Sequence, residues 1–193
     1  MQPCILVLAA GQGQRFKAAA GADQNKLLAL CTGLDAVVRP VLEQVLYNLQ
    51  GVAGRRLLVT SASTLPDIAT IAEGHGFETL AITGAGMGDS LAAGVNASID
   101  ASGWLVVLGD MPFIRPDTYQ LTVQSIADDQ IVVPMYQGIQ GHPVGFGKRF
   151  ASALSILDGD RGARRLFEGN SLVRLETQDP GILLDIDVPG SLR

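Results

Sequence analysis

Residues able to do chemistry concentrate in three short stretches. The first is Leu8-Ala9-Ala10-Gly11-Gln12-Gly13-Gln14-Arg15-Phe16, with Lys26 farther on. Glycines let backbone N–H groups turn inward toward phosphate oxygens, and Arg15 and Lys26 bring positive charge to the same place. Phe16 stands where a G-x-G-x-x-G fingerprint needs its third glycine, and no Gly-Lys-Ser/Thr follows to make a Walker loop. A plain strand-to-helix turn is the competing reading. The second stretch is Gly84-Ala85-Gly86-Met87-Gly88-Asp89-Ser90. Its glycines precede a helix, with Ser90 as a donor in the first turn and Asp89 as the N-cap. Simple loop geometry competes there too. The third, Gly109-Asp110-Met111-Pro112, delivers one carboxylate at the end of an apolar strand. A hard oxygen ligand in that place suits Mg2+, which takes one or two carboxylates plus substrate phosphates. An Asp that merely caps a turn is the alternative.

Other candidates are scattered along the second half. Asp185 and Asp187 fall on the same side of an extended Asp185-Ile186-Asp187, so either can complete a metal site with Asp110. His142, in Gly141-His142-Pro143-Val144, reads as a contact for an anionic acceptor or as a structural histidine. Arg161, Arg164 and Arg165 read as a solvated helix face, with Arg164 the candidate to meet an incoming phosphate. Cys4 and Cys31 have no metal or redox spacing and read as small buried hydrophobes. No Ser-His-Asp order, zinc signature or pair of general-acid carboxylates stands out.

The elements that must position these residues follow from periodicity. Continuous apolar runs at Ile5–Ala9, Leu57–Thr60, Phe77–Thr83, Trp104–Leu108 and Ile131–Pro134 predict buried strands. Between them the spacing predicts helices over Asp35–Leu49, Leu65–Glu73, Asp89–Ser98 and Pro116–Ala127, after a long loop spanning 11–26. The remainder is less regular: an extended Pro143–Phe146, helices near Arg149–Leu157 and Gly162–Phe167, and a strand at Leu172–Leu175. Strands alternating with helices imply an α/β fold with a mainly parallel sheet covered on both sides. Such sheets bind ligands at the carboxyl ends of their strands. The loops after Ala9, after Thr83 and after Leu108 are therefore expected to converge on one cleft.

Composition narrows the function classes. The 193 residues carry 14 Lys+Arg against 19 Asp+Glu, a net charge of −5, which disfavours nucleic-acid or anionic-membrane binding. Hydrophobic residues make up 47% and charged residues 17%, a balance that excludes disorder and predicts one domain spanning 1–193. The 23 glycines exceed the average share of about 7% and suit ligand-cradling loops. The apolar run from Cys4 to Ala10 is too short to span a bilayer and has no basic segment before it, so a cytoplasmic, soluble protein is expected.

Taken together, the motifs resemble the nucleotidyltransferases of the molybdenum cofactor cytidylyltransferase type, relatives of the pathway's guanylyltransferase and of sugar-nucleotide pyrophosphorylases. The resemblance rests on Leu8-Ala9-Ala10-Gly11-x-Gly13-x-Arg15, Gly86-Met87-Gly88-Asp89-Ser90-Leu91-x-x-Gly94 and Gly109-Asp110-Met111-Pro112. It continues through Gly141-His142-Pro143-Val144-x-Phe146, Gly159-Asp160-x-Gly162-Ala163-Arg164 and Asp185-Ile186-Asp187-x-Pro189, in family order. It implies a Rossmann-like three-layer α/β/α sandwich of the nucleotide-diphospho-sugar transferase type. It further implies nucleotide contacts from Leu8, Ala9, Ala10, Gly11, Gly13, Gly86, Met87, Ser90 and Gly109, with Arg15 and Lys26 on the phosphates and Mg2+ on Asp110 and Asp187. Arg15, Lys26 and Asp110 are then the catalytic residues, and His142 and Arg164 touch the acceptor.

Phe16-Lys17 replaces the family's usual Met-Gly after the arginine, which makes Lys17 a competitor of Lys26 for the phosphates. The double alanine after Leu8 is similar to the cytidylyl branch. The implied reaction is transfer of CMP from CTP to a phosphate-bearing acceptor, molybdopterin, with release of pyrophosphate. Transient contact with a molybdoenzyme or its chaperone is also implied. Rival readings are a guanylyl- or sugar-phosphate nucleotidyltransferase, a dinucleotide-binding oxidoreductase, and a nucleotide-binding protein without catalysis.

Overall fold

The computed structural model describes residues 2–11, 13–21, 24–83, 86–160 and 162–192. Gln12, Gly84, Ala85 and Arg161, all named above, lie outside the described residues. In chain order the strands are β1 (Cys4–Ala9), β2 (Leu30–Thr32), β3 (Val38–Pro40), β4 (Arg55–Ser61), β5 (Glu78–Ile82), β6 (Gly103–Leu108), β7 (Ile131–Tyr136), β8 (Ile139–Gln140), β9 (Val144–Gly147) and β10 (Leu172–Glu176). The helices are α1 (Gln14–Ala20), α2 (Val41–Asn48), α3 (Leu65–Gly74), α4 (Met87–Ala97), α5 (Pro116–Gln124) and α6 (Ala151–Leu154).

The main sheet runs β10-β7-β9-β6-β1-β4-β5, with β8 hydrogen-bonded to β7. Pairings β6–β1, β1–β4, β4–β5 and β7–β10 are parallel, whereas β9 is antiparallel to both β6 and β7. The expected α/β class with a mostly parallel sheet is what the chain forms. All six residues of β1 are buried because alternate side chains feed opposite layers. Cys4, Leu6 and Leu8 pack with α4 and α6 residues such as Leu91, Val95 and Leu154. Ile5, Val7 and Ala9 pack with Leu42, Val45, Ile68 and Tyr119 from α2, α3 and α5.

Several expected elements differ. The stretch 11–26 contains the helix α1 rather than loop throughout. The helix expected from Asp35 begins only at Val41, behind a β2–β3 hairpin. Pro40 explains the shift: it forces Arg39 into an extended conformation and leaves Val38 on the hairpin, 58% exposed. Val41, Leu42, Val45, Leu46 and Leu49 then keep their helical spacing and are fully buried. Arg149–Leu157 is a 3-10 turn (Lys148–Phe150) running into the four-residue α6, and Ala163–Phe167 is also 3-10 rather than α-helical.

Candidate active site

β1 and β6 lie side by side in parallel register, Leu8 opposite Leu108, so their carboxyl ends deliver Ala10 and Asp110 to one edge. Gly109 makes that approach possible. Its N–H donates to the Leu8 carbonyl at 2.9 Å, and a Cβ there would stand 3.1 Å from the same oxygen. Gly109 therefore seats Asp110 from behind and lines none of the hollows described below.

A narrow hollow of about 120 Å³ opens at this edge, lined by Leu8, Ala9, Ala10, Gly11, Gly86, Met87 and Ser90 together with Lys26 and Asp110. Lys26 is ion-paired with Asp110, and both side chains are largely shielded, at 13% and 19% exposure. Lys26 also borders an open hollow of about 250 Å³ formed by Gly13, Gln14, Arg15, Phe16 and Asp187. Gly13 adopts a left-handed φ of 58° at the start of α1, and a Cβ there would stand 3.5 Å from the Lys26 stem. Arg15, well exposed, donates to Asp187 Oδ2 at 2.7 Å. The structure thus brings Lys26 into the site, while Lys17 stays exposed on α1 and lines none of these hollows.

The C-terminal stretch completes the wall. Ile186 is buried against Phe16, Cys31, Val41 and Phe113, and its N–H donates to the Asp110 carbonyl at 2.9 Å. Asp185 and Asp187 flank that anchor. Asp187 borders the hollow shared with Lys26, whereas Asp185 lines a separate crevice beside Phe113 and Ser191. Burial pushes the Asp185 carboxyl above its usual range, and the negative charges of Asp187 and Asp110 push it further. Among the described residues no three His, Cys, Asp or Glu converge on one point.

A larger hollow of about 320 Å³ shares Leu8, Met87 and Leu108 with the narrow one. Its lining is mostly apolar, including Leu91, Val106, Val144, Phe146 and Phe167, with Gln140, His142 and Arg164 as the polar members. Among the described residues His142 Nδ1 is buried without a protein partner, and burial holds the imidazole below its ordinary pKa although the Asp110 charge pulls the other way. Gly141 must be glycine because a Cβ would meet the Ile182 carbonyl oxygen at 2.3 Å.

One local expectation is corrected. Gly86, not Asp89, is the N-cap of α4; Asp89 sits at the third helical position and accepts the Gly86 N–H at 3.2 Å. The Ser90 hydroxyl donates to the Gly86 carbonyl at 2.9 Å and lines the narrow hollow. Gln140 and Phe167 were not singled out from sequence. Gln140 had a readable signal, since Gln137-Gly138 adopts positive φ at both positions and turns β7 back into β8.

The profile of the MobA-like NTP transferase domain matches residues 5–177. The chain belongs to the MobA-like NTP transferase family. It is a nucleotidyltransferase, and its fold is shared with solved structures at low identity. A nucleotidyl transferase from Methanothermobacter thermautotrophicus superposes with a TM-score of 0.81 at 19% identity, covering 98% of this chain and 94% of the other. Rv0371c from Mycobacterium tuberculosis gives 0.78 at 22%, covering 99% and 95%, and has also been crystallised with manganese. A cytidylyltransferase from Leptospira borgpetersenii gives 0.69 at 15%, covering 97% and 82%. No curated protein matches the chain by sequence. Family membership removes the oxidoreductase reading. Asp185 and Asp187 lie beyond the matched segment, so their place in the transferase site rests on the Ile186 anchor.

Proposed function

We propose that this transferase, acting as a single nucleotidyltransferase domain, moves CMP from CTP to a phosphate-bearing acceptor, molybdopterin, in a Mg2+-dependent reaction that releases pyrophosphate. The observation that carries the proposal is the pair of contiguous hollows with Met87 as their common wall. The narrow, glycine-walled one suits a small base and ribose, and Gly13 to Phe16 with Lys26 suits the triphosphate. The Ala9-Ala10 pair at its wall, similar to the cytidylyl branch, supports CTP as the nucleotide. The larger hollow's apolar walls, with Arg164 exposed at the rim, favour a flat heterocycle bearing a phosphate over a hydroxyl-rich sugar.

A divalent ion fits the donor set. Asp185 is raised chiefly by burial and further by the charges of Asp187 and Asp110, and a pair of carboxylates, Asp110 and Asp187, agrees with the habit of Mg2+ to take the rest of its shell from substrate and water. When bound, the ion supplies charge neutralisation at the nucleotide oxygens. Lys26 and Arg15, now paired with Asp110 and Asp187, turn to the β- and γ-phosphates and stabilise the departing pyrophosphate. An oxygen of the acceptor phosphate bonds to the α-phosphorus as the α–β P–O bond breaks, its electron pair leaving on pyrophosphate. A phosphomonoester with a second pKa of about 6 is already ionised near neutrality, so no general base is needed. Neutral His142 offers a ring hydrogen bond to the acceptor's body, and Arg164 meets its charge. Positioning and electrostatics do the remaining work.

The test is thermal denaturation with CTP, GTP, ATP, UTP and NAD, each with and without Mg2+. A ligand at about 100 times its Kd stabilises by about 2.7 kcal/mol, a shift of several degrees for a chain of this size. CTP with Mg2+ gives the largest shift, and Asp110→Ala loses its magnesium-dependent part. An equal response to all five ligands refutes the nucleotide assignment.

A further inference from the structure

We infer that Asp89 is a positioning residue that fastens the segment leading to Arg164 onto the helix walling the nucleotide hollow. Its two carboxylate oxygens serve two different segments. Oδ2 accepts the Gly86 N–H at 3.2 Å, while Oδ1 accepts the Gly159 N–H at 3.1 Å, 70 residues away in sequence. The Gly159 carbonyl in turn accepts the Gly88 N–H at 2.8 Å, so both polar groups of Gly159 are held by the first turn of α4. A helix cap needs only the first of these bonds.

Glycines make the contact close. A Cβ on Gly86 would stand 2.1 Å from the Gly159 carbonyl oxygen, and one on Gly162 would stand 2.9 Å from Met87 Sδ. Gly159 itself has a left-handed φ of 55°. Met87, two residues before Asp89, walls both hollows, and Gly162, Ala163 and Arg164 line the larger one. Asp89 therefore sets the distance between the nucleotide's wall and the acceptor's cation while touching neither ligand. An asparagine would present one acceptor oxygen and turn an NH2 donor toward the other N–H, so it can satisfy one segment only.

The role as a coupler of two substrates rests on the proposed reaction; the fastening itself does not. The test compares wild type, Asp89→Ala and Asp89→Asn by hydrogen–deuterium exchange and by steady-state kinetics with CTP, Mg2+ and isolated molybdopterin. In Asp89→Ala, exchange rises about tenfold or more over 158–164, the expected consequence of losing a charge-assisted hydrogen bond, while the amides of Leu91 to Val95 are unchanged. The acceptor KM rises by a similar factor, the Kd for CTP changes by less than about threefold, and Asp89→Asn falls between. Unchanged exchange over 158–164, or loss confined to α4 with full rescue by asparagine, overturns the inference and leaves a simple cap. If wild-type protein does not consume CTP with molybdopterin, the proposed reaction fails, and the exchange data still decide the fastening.

Discussion

Removing the Lys26 charge should tighten, not weaken, the binding of a divalent ion to the nucleotide-free protein. Lys26 is ion-paired with Asp110 in a shielded setting, so an ion arriving alone must first displace the ammonium. Lys26→Met keeps the stem that packs beside Gly13 and deletes only the competing charge. A hydrogen bond between charged partners contributes about 1.5–3 kcal/mol, and each 1.4 kcal/mol is tenfold in affinity. Mn2+ should therefore bind the variant about ten- to a hundredfold more tightly than wild type without nucleotide. With CTP present the order reverses, because the wild-type lysine then neutralises phosphate and the variant has nothing to offer. Electron paramagnetic resonance of free Mn2+ measures both constants directly. Equal or weaker Mn2+ binding by Lys26→Met in the absence of CTP would mean that Asp110 is no ion ligand, and the charge-exchange argument would fall with it.

Two further outcomes are expected. Asp179 is buried and accepts from Thr118 Oγ1 at 2.7 Å, from the Arg115 N–H at 2.8 Å and from the Gly181 N–H at 2.9 Å. Asp179→Ala strands these donors and should cost about 3–5 kcal/mol, lowering Tm by about 6–20 °C in thermal denaturation, with Asp179→Asn intermediate because its NH2 must face one of the donors. His142, held below its ordinary pKa of 6.5 by burial, should stay neutral in an NMR titration at pH values where a free imidazole is protonated. The unfolded chain takes the proton first, so His142 subtracts stability progressively as pH falls below about 6.5. Asp110→Asn should depress its midpoint further, since the lost carboxylate favoured the charged ring.

Much of the fold was legible because periodicity and burial report the same physics. The Ile5–Ala9 and Trp104–Leu108 runs are apolar at every position, which only a strand covered on both faces requires, and both are central strands of the sheet. The edges were less legible. Val38 fitted a helical spacing by accident and lies on a hairpin, and α1 lacked any apolar stripe to announce it, burying Phe16 alone. Asp89 looked like an N-cap because its residue type favours that place, and the type carries no information about Gly159.

By itself, the amino-acid order determined the layered α/β class, the glycine-rich turns after Ala9 and before α4, and the carboxylate that ends β6. Those are local properties: side-chain alternation, the conformational freedom of glycine, the stop imposed by Pro112. Tertiary structure alone decided that Lys26 rather than Lys17 reaches Asp110, that Asp187 rather than Asp185 faces Arg15, and that Asp89 bonds Gly159 as well as Gly86. Each of those choices depends on which backbone passes within about 3 Å of a side-chain tip, the reach of a hydrogen bond. Such distances are set by the packing of segments far apart in the chain.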